Sequence, residues 1–397
     1  MRTVDLFAGC GGMSEGFQKA GFDLQAAFEF WTTAANCYQL NFSHDVFRMD
    51  LSDTEKAIEQ IQQYSPELII GGPPCQDFSH AGKRQEADRA SLTFSFSEII
   101  QTVRPSYFVM ENVDRAQKSR AYQKAREVFQ ASGYGITEVI LDASRCGVPQ
   151  KRKRFFCIGG LNQQDGFLSE RLEQGLSARD MTLRDYFGNA LDFDFYYRHP
   201  RNYSRRAIFS IDEPAPTMRG VNRPIPKGYP GHPKDACLLD QPIHVLSTLE
   251  RSLIQTFPPN YKWCGNKTDM EQMIGNAVPV NLAYYVASVL KKYVDSVSME
   301  NTLLTDGDSL IYQDFRSWLV SHHGLSMRTT SDIASRVRRV NRLRPMKSET
   351  AHSYLSHLQH DASYLKLSAS VSSQLKRAVL LYADYISSRE REMLYAH

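Results

Sequence analysis

Short apolar runs and helix-period segments alternate along residues 1–160. Thr3-Val4-Asp5-Leu6-Phe7, Leu24-Gln25-Ala26-Ala27-Phe28, Glu67-Leu68-Ile69-Ile70, Tyr107-Phe108-Val109-Met110 and Phe155-Phe156-Cys157-Ile158 read as strands. Residues 13–20 and 52–63 read as helices. Such alternation predicts an α/β fold, a mostly parallel sheet with helices on both faces. The rhythm breaks over residues 161–243, which are rich in Arg, Asn, Pro, Gly and Tyr with few clean periods; Tyr196-Tyr197-Arg198-His199-Pro200-Arg201 is typical. A helix over 282–293 follows, and the remainder reads as helices near 312–322, 330–341, 348–359 and 370–392. The expected organisation is therefore an α/β domain over 1–160, a small irregular domain over 161–243, a return to the first domain over 244–300, and a helical extension over 301–397.

Two turns carry candidate chemistry. After the first strand, Ala8-Gly9-Cys10-Gly11-Gly12 lets a ligand approach the backbone, and the following helix start offers unpaired N–H groups. Glu29 ends the second strand, about 20 residues beyond the first glycine, where a carboxylate can hold ribose hydroxyls. Ser14 stands where a dinucleotide fingerprint has its third glycine, which disfavours an NAD-dependent dehydrogenase and leaves a nucleoside cofactor without a pyrophosphate. After the strand ending at Ile70, Pro73 and Pro74 stiffen the backbone before Cys75, and a cysteine on a stiff loop at a strand end suits a nucleophile.

Charge divides the chain. Residues 1–144 carry 13 Lys/Arg against 19 Asp/Glu, residues 145–235 carry 16 against 10, and residues 301–397 carry 13 against 9. The basic excess lies where nucleic-acid phosphates would be met. Seven cysteines without a Cys-x-x-Cys pair argue for a reducing cytoplasm and against zinc. No signal peptide and no apolar run near 20 residues is expected, so no membrane association.

Together these segments resemble the DNA (cytosine-5) methyltransferases of bacterial restriction–modification systems. Asp5-Leu6-Phe7-Ala8-Gly9-Cys10-Gly11-Gly12 is similar to the family's S-adenosyl-L-methionine loop, Pro73-Pro74-Cys75-Gln76 to its nucleophile loop and Glu111-Asn112-Val113 to its acid motif. Gln150-Lys151-Arg152-Lys153-Arg154, the run ending Gln255-Thr256-Phe257-Pro258, and Gly275-Asn276-Ala277-Val278-Pro279 follow in the family's order. The resemblance covers roughly residues 1–295. It implies a Rossmann-like S-adenosylmethionine-dependent fold, a target recognition domain over 161–243, and double-stranded DNA as substrate. It also implies a monomer and a separate cognate restriction endonuclease. Phe7 would stack on adenine, Glu29 would take the ribose and Asp50 the adenine amino group. Gly9, Gly11, Gly12 and Pro73 would complete the nucleoside pocket, and Asn276 and Val278 would close the methionine end. Arg154 would reach cytosine O2 with Arg152 supporting it or facing phosphate. Gln150, Ser79, Lys83 and Arg84 would touch DNA.

The residues fit that chemistry. Cytosine C5 is a poor nucleophile until something adds to C6, for which Cys75 is the candidate. A desolvated Glu111 keeps its proton to higher pH and can assist at N3. Two other readings stay open: an RNA-directed relative that methylates tRNA, and a non-catalytic DNA-binding protein on a degenerate methyltransferase core. Residues 301–397 have no counterpart in the resemblance. Their basic stretch Arg336-Val337-Arg338-Arg339 suggests DNA binding, and Phe315, Trp318-Leu319 and Gly324-Leu325-Ser326 give a faint similarity to the helical core-binding domain of tyrosine recombinases.

Overall fold

The computed structural model describes residues 1–74, 91–200, 202, 204–343, 350–365, 367 and 369–395. The chain divides into two compact units, Met1–Val294 and Asp295–His397.

In the first unit the strands are β1 (Arg2–Leu6), β2 (Asp23–Glu29), β3 (Asp45–Arg48), β4 (Leu68–Gly71), β5 (Tyr107–Val113), β6 (Tyr134–Asp142), β7 (Gln150–Lys151) and β8 (Lys153–Leu161). Seven of them form one sheet in the order β3-β2-β1-β4-β5-β8-β6. The first five run parallel, while β8 is antiparallel to both β5 and β6. Strand order therefore reverses between β1 and β4. Open α/β sheets bind ligands in the crevice at the carboxyl ends of such a switch point, and Leu6 pairs there with Gly71.

Side chains of the central strands alternate between two cores, as a period of two requires. Leu68, Ile70 and Val109 face one core with Phe17 and Leu282, whereas Ile69, Phe108 and Met110 face the other with Phe96 and Phe129. Burial on both faces explains why these strands read as continuous apolar runs.

The interval 161–243 lies within the first compact unit. Leu168 and Leu172 belong to the main core, so its first part is continuous with the α/β body. Further on, β9 (Phe195–Tyr197), β10 (Ile208–Ser210), β11 (Ala215–Pro216) and β12 (His244–Val245) appear. A three-stranded sheet β10-β9-β12 and a pair β11-β7 result, from strands too short to leave a period in the sequence. The helix Val280–His323 begins with Leu282, Ala283, Val286, Ala287 and Leu290 against the main core. Two separate helices were expected over 282–293 and 312–322, but one continuous helix forms. No proline interrupts it, and its one glycine, Gly307, costs only about 1 kcal/mol. A stretch within Lys267–Val297 is long and apolar enough to cross a membrane; 61% of that window is buried within the fold, as in a core helix.

The second unit has its own core. Helix Met327–Leu343 packs Ile333, Ala334 and Val337 against Tyr312, Phe315 and Tyr382, and a second cluster joins Val340, Tyr354, Leu358 and Val379. Helices Ala351–Leu358 and Ala369–Tyr395 complete it, with the short turn of helix Ala362–Leu365 between them.

Candidate active site at the strand switch point

A cavity of about 840 Å³ opens at the switch point. On one side β1 turns sharply: Phe7, Gly9 and Gly11 all have left-handed backbones, at φ 58°, 57° and 93°. Gly12 starts the helix Gly12–Lys19, and a Cβ there would stand 2.4 Å from the Val278 carbonyl oxygen, so only glycine admits that approach. Glu29 is held at both carboxylate oxygens: the Gly9 N–H donates to Oε2 at 2.7 Å and the Trp31 N–H to Oε1 at 2.7 Å. Burial raises its pKa, and these backbone donors oppose the rise. Phe7, Gly9, Gly12, Glu29, Asp50, Pro73, Asn276 and Val278 all line the cavity. Gly11 does not; a Cβ on it would meet Phe42 and Tyr261, so its role is packing. Asp50 accepts from the Ser52 N–H at 2.9 Å, while the cap of the next helix is Asp53.

The other side is built by β4 and β5. Pro73 and Pro74 line the cavity at the end of β4. The Asn112 side chain donates to the Pro73 carbonyl at 3.0 Å and accepts from the Val113 N–H, which fixes the loop immediately before Cys75. Cys75, Ser79, Lys83 and Arg84 lie outside the described residues. Glu111 lies inside β5, buried at 8% exposure, and its Oε1 is 2.9 Å from Arg154 Nε on β8. Both line the cavity. Burial raises the Glu111 pKa although the charges of Arg154 and Arg152 oppose it; burial also lowers that of Arg154. A dry carboxyl beside a guanidinium can hold a proton toward a neutral heterocycle and accept charge when the heterocycle is attacked.

Arg152 and Gln150 do not face nucleic acid. Arg152 is 1% exposed and donates to the carbonyls of Met218 (2.9 Å), Gly275 (2.9 Å), Asn276 (3.5 Å) and Ala277 (3.0 Å). Three of these carbonyls end the helix Lys267–Asn276, where four carbonyls lack intrahelical partners and the dipole favours a cation. Gln150 is fully buried; it donates to Gln255 at 2.7 Å and accepts from the Met218 N–H at 2.8 Å. Gln255 donates in turn to the carbonyls of Ile274 and Ala277. The expected phosphate-facing role of Arg152 and DNA-binding role of Gln150 are thus corrected: these side chains tie the loop of Asn276 to Met218.

Asp5 is the residue that pattern reading passed over, because it sits inside an apolar strand. Its Oδ2 accepts from Ser14 at 2.6 Å, and Tyr38 donates to Ser14 at 2.6 Å. His44 Nε2 lies 2.8 Å from the Tyr38 hydroxyl, whose proton is already given to Ser14, so the imidazole donates there. The other oxygen of Asp5 is buried without a partner, and Asp5 lines the cavity. A carboxyl polar enough to receive a cation thus lies at the floor of a pocket that also holds an aromatic ring and a ribose-type carboxylate. These groups fit a nucleoside bearing a cationic amino-acid tail.

Comparison with known proteins agrees with that geometry. Residues 1–292 match the family model described as C-5 cytosine-specific DNA methylase. The chain is 56% identical over 294 residues to the Type II methyltransferase M.HindV of Haemophilus influenzae, covering 73% of this chain and 96% of that protein. It is 53% identical over 307 residues to the Type II methyltransferase M.HgiDI of Herpetosiphon aurantiacus, covering 77% and 98%. Among solved structures, a putative DNA modification methyltransferase encoded within an Escherichia coli prophage shares the fold at TM-score 0.55 and 23% identity, over 74% of this chain and 99% of that one.

Proposed function

Because this chain belongs to the C-5 cytosine-specific DNA methylases, which transfer a methyl group from S-adenosylmethionine to cytosine C5 in DNA, we propose how its own residues carry out that reaction. The target cytosine leaves the duplex, since neither a thiol nor a carboxyl can reach ring atoms inside the stack. The Cys75 thiolate forms a bond to C6, and the ring's electron pair moves toward C5. Glu111, whose carboxyl burial holds toward its protonated form against the pull of Arg154 and Arg152, donates at N3 and takes up the developing charge; Arg154 orients it and faces O2. S-adenosylmethionine supplies an electrophilic methyl group at C5. Water then takes the C5 proton, the electron pair of that bond re-forms the C5–C6 double bond and expels the Cys75 thiolate, and N3 returns its proton to Glu111, restoring the aromatic base and the free enzyme.

For the cofactor, Phe7 stacks on the adenine and Asp50 accepts from its amino group. Glu29 holds the ribose, and Asp5 accepts from the amino group of the methionine end, which Asn276 and Val278 close. The observation that carries this reading is the Glu111–Arg154 pair, 2.9 Å apart, lining the same cavity as Glu29 and Pro74. Residues 161–243 read the DNA sequence. The similarity to Type II methyltransferases supports a protective role beside a separate restriction endonuclease; we further propose that the enzyme acts as a monomer in the cytoplasm.

Methyl transfer from labelled S-adenosylmethionine to duplex DNA and to tRNA tests the substrate. Label in DNA, at one sequence context on methylome mapping, is the expected result. Label in tRNA alone would establish an RNA enzyme, and none in either a binding protein.

A further inference from the structure

The second unit adds a folded body to a catalytic frame that is already whole. The family match ends at residue 292, and the alignments span 96% and 98% of M.HindV and M.HgiDI. Residues 301–397 carry a net charge of +4, that is 13 Lys/Arg minus 9 Asp/Glu, whereas residues 1–300 carry 34 against 35. Part of that charge lies on one helix face. Helix Met327–Leu343 buries Thr330, Ile333, Ala334, Val337 and Val340, while Arg328, Arg338 and Arg339 are exposed. At about 100° per residue, Arg328 and Arg339 project within roughly 20° of each other, opposite the buried stripe, with Arg338 about 80° away.

These guanidinium groups are available. Among the described residues Arg328 and Arg339 form no ion pair, in contrast to Arg389, which is engaged by Asp314. Arg338 lies over the Tyr312 ring at 5.4 Å, which steadies the guanidinium plane and leaves its edge free to donate. One acid, the exposed Asp332, shares this side of the helix.

We propose that this face of the second unit binds the phosphate backbone of duplex DNA. The enzyme's own substrate supplies the polyanion, and a unit on the same chain meets it at high effective concentration. Guanidinium groups without base-reading partners grip phosphates irrespective of sequence, so the face adds affinity and leaves the choice of site to the first unit. The proposal rests on DNA being the substrate but not on the Cys75 mechanism.

The test is binding of the full chain to a duplex across a salt series. Arg328→Ala/Arg338→Ala/Arg339→Ala should lower the slope of log affinity against log salt by about 2–3, at roughly 0.9 per phosphate contact. It should keep its methylation rate at low salt and saturating DNA. Asp332→Asn should bind DNA severalfold more tightly; it decides the matter if the triple variant is unstable. An unchanged slope in a folded triple variant, or an unchanged affinity in Asp332→Asn, would overturn the proposal, as would a face that instead captures an acidic protein. The same slope change in a Cys75→Ala background keeps this outcome separate from the fate of the covalent mechanism.

Discussion

Arginine plays opposite parts in the two units. In the first, Arg152 is buried against a helix end and Arg154 half-buried against a carboxylate; Arg251 is buried against Glu271. In the second, Arg328, Arg338 and Arg339 stand outside an apolar core they do not enter. Taking a guanidinium out of water costs several kcal/mol, which only fixed partners offset, so a buried arginine fixes the geometry around it. An exposed one keeps its hydration and contributes little until a polyanion arrives. Burial thus separates arginines that shape the site from those that meet the substrate.

The largest effect should come from the buried carboxyl that arginine holds. Glu111→Gln should slow methyl transfer on the order of 10²–10⁴-fold while DNA binding survives. In the wild type the rate should fall as pH climbs through Glu111's raised pKa, because the proton needed at N3 is then lost; the variant should lack that alkaline fall. A loss below about tenfold would make Glu111 structural.

Matched substitutions in the two units sharpen the contrast. Arg152→Met leaves several carbonyls without donors in a dry setting and should cost about 3 kcal/mol or more. It should also raise KM for S-adenosylmethionine more than KM for DNA, because the Asn276 loop loses its support, with partial rescue in Arg152→Lys. Arg339→Met should change stability by less than about 0.5 kcal/mol. Urea unfolding and the two KM values check both; equal effects in the two variants would dissolve the comparison.

Asp5 gives an effect of similar size with a pH signature. Burial pushes its carboxyl up to about 7, with Ser14 opposing and the charge of Glu29 adding. A carboxyl that holds its proton more tightly when folded loses stability as pH rises from its ordinary value near 3.8 toward 7. The gain from Asp5→Asn should therefore grow across that window and level off above it, on the order of 4 kcal/mol. Equal gains at pH 5 and pH 8 in urea unfolding would show that Asp5 ionises freely.

Much of the first unit was legible in its sequence. Strands such as β4 and β5 leave continuous apolar runs because both faces are covered. The edge strand β3, four residues with none fully buried, leaves no such mark. At the site, Phe7, Glu29, Glu111 and Arg154, on or next to strands of the sheet, and Asn276, at a helix end, could be drawn to one cavity by motif. Arg152 and Gln150 could not be read this way. Arg152 is aimed by unpaired carbonyls of a helix end more than 100 residues later in the chain, and Gln150 by the Gln255 side chain, equally distant in sequence. Asp5 was hidden by its apolar neighbours.

The central claim is that a thiolate of this chain adds to cytosine C6. A duplex synthesised with 5-fluorocytosine in place of every cytosine tests it without knowledge of the recognised sequence, because fluorine at C5 cannot leave as a proton does. With S-adenosylmethionine present, the wild-type enzyme should form a denaturation-resistant adduct that peptide mapping assigns to Cys75, and Cys75→Ala should form none. Absence of an adduct in the wild type, or an equal yield in Cys75→Ala, would contradict the mechanism.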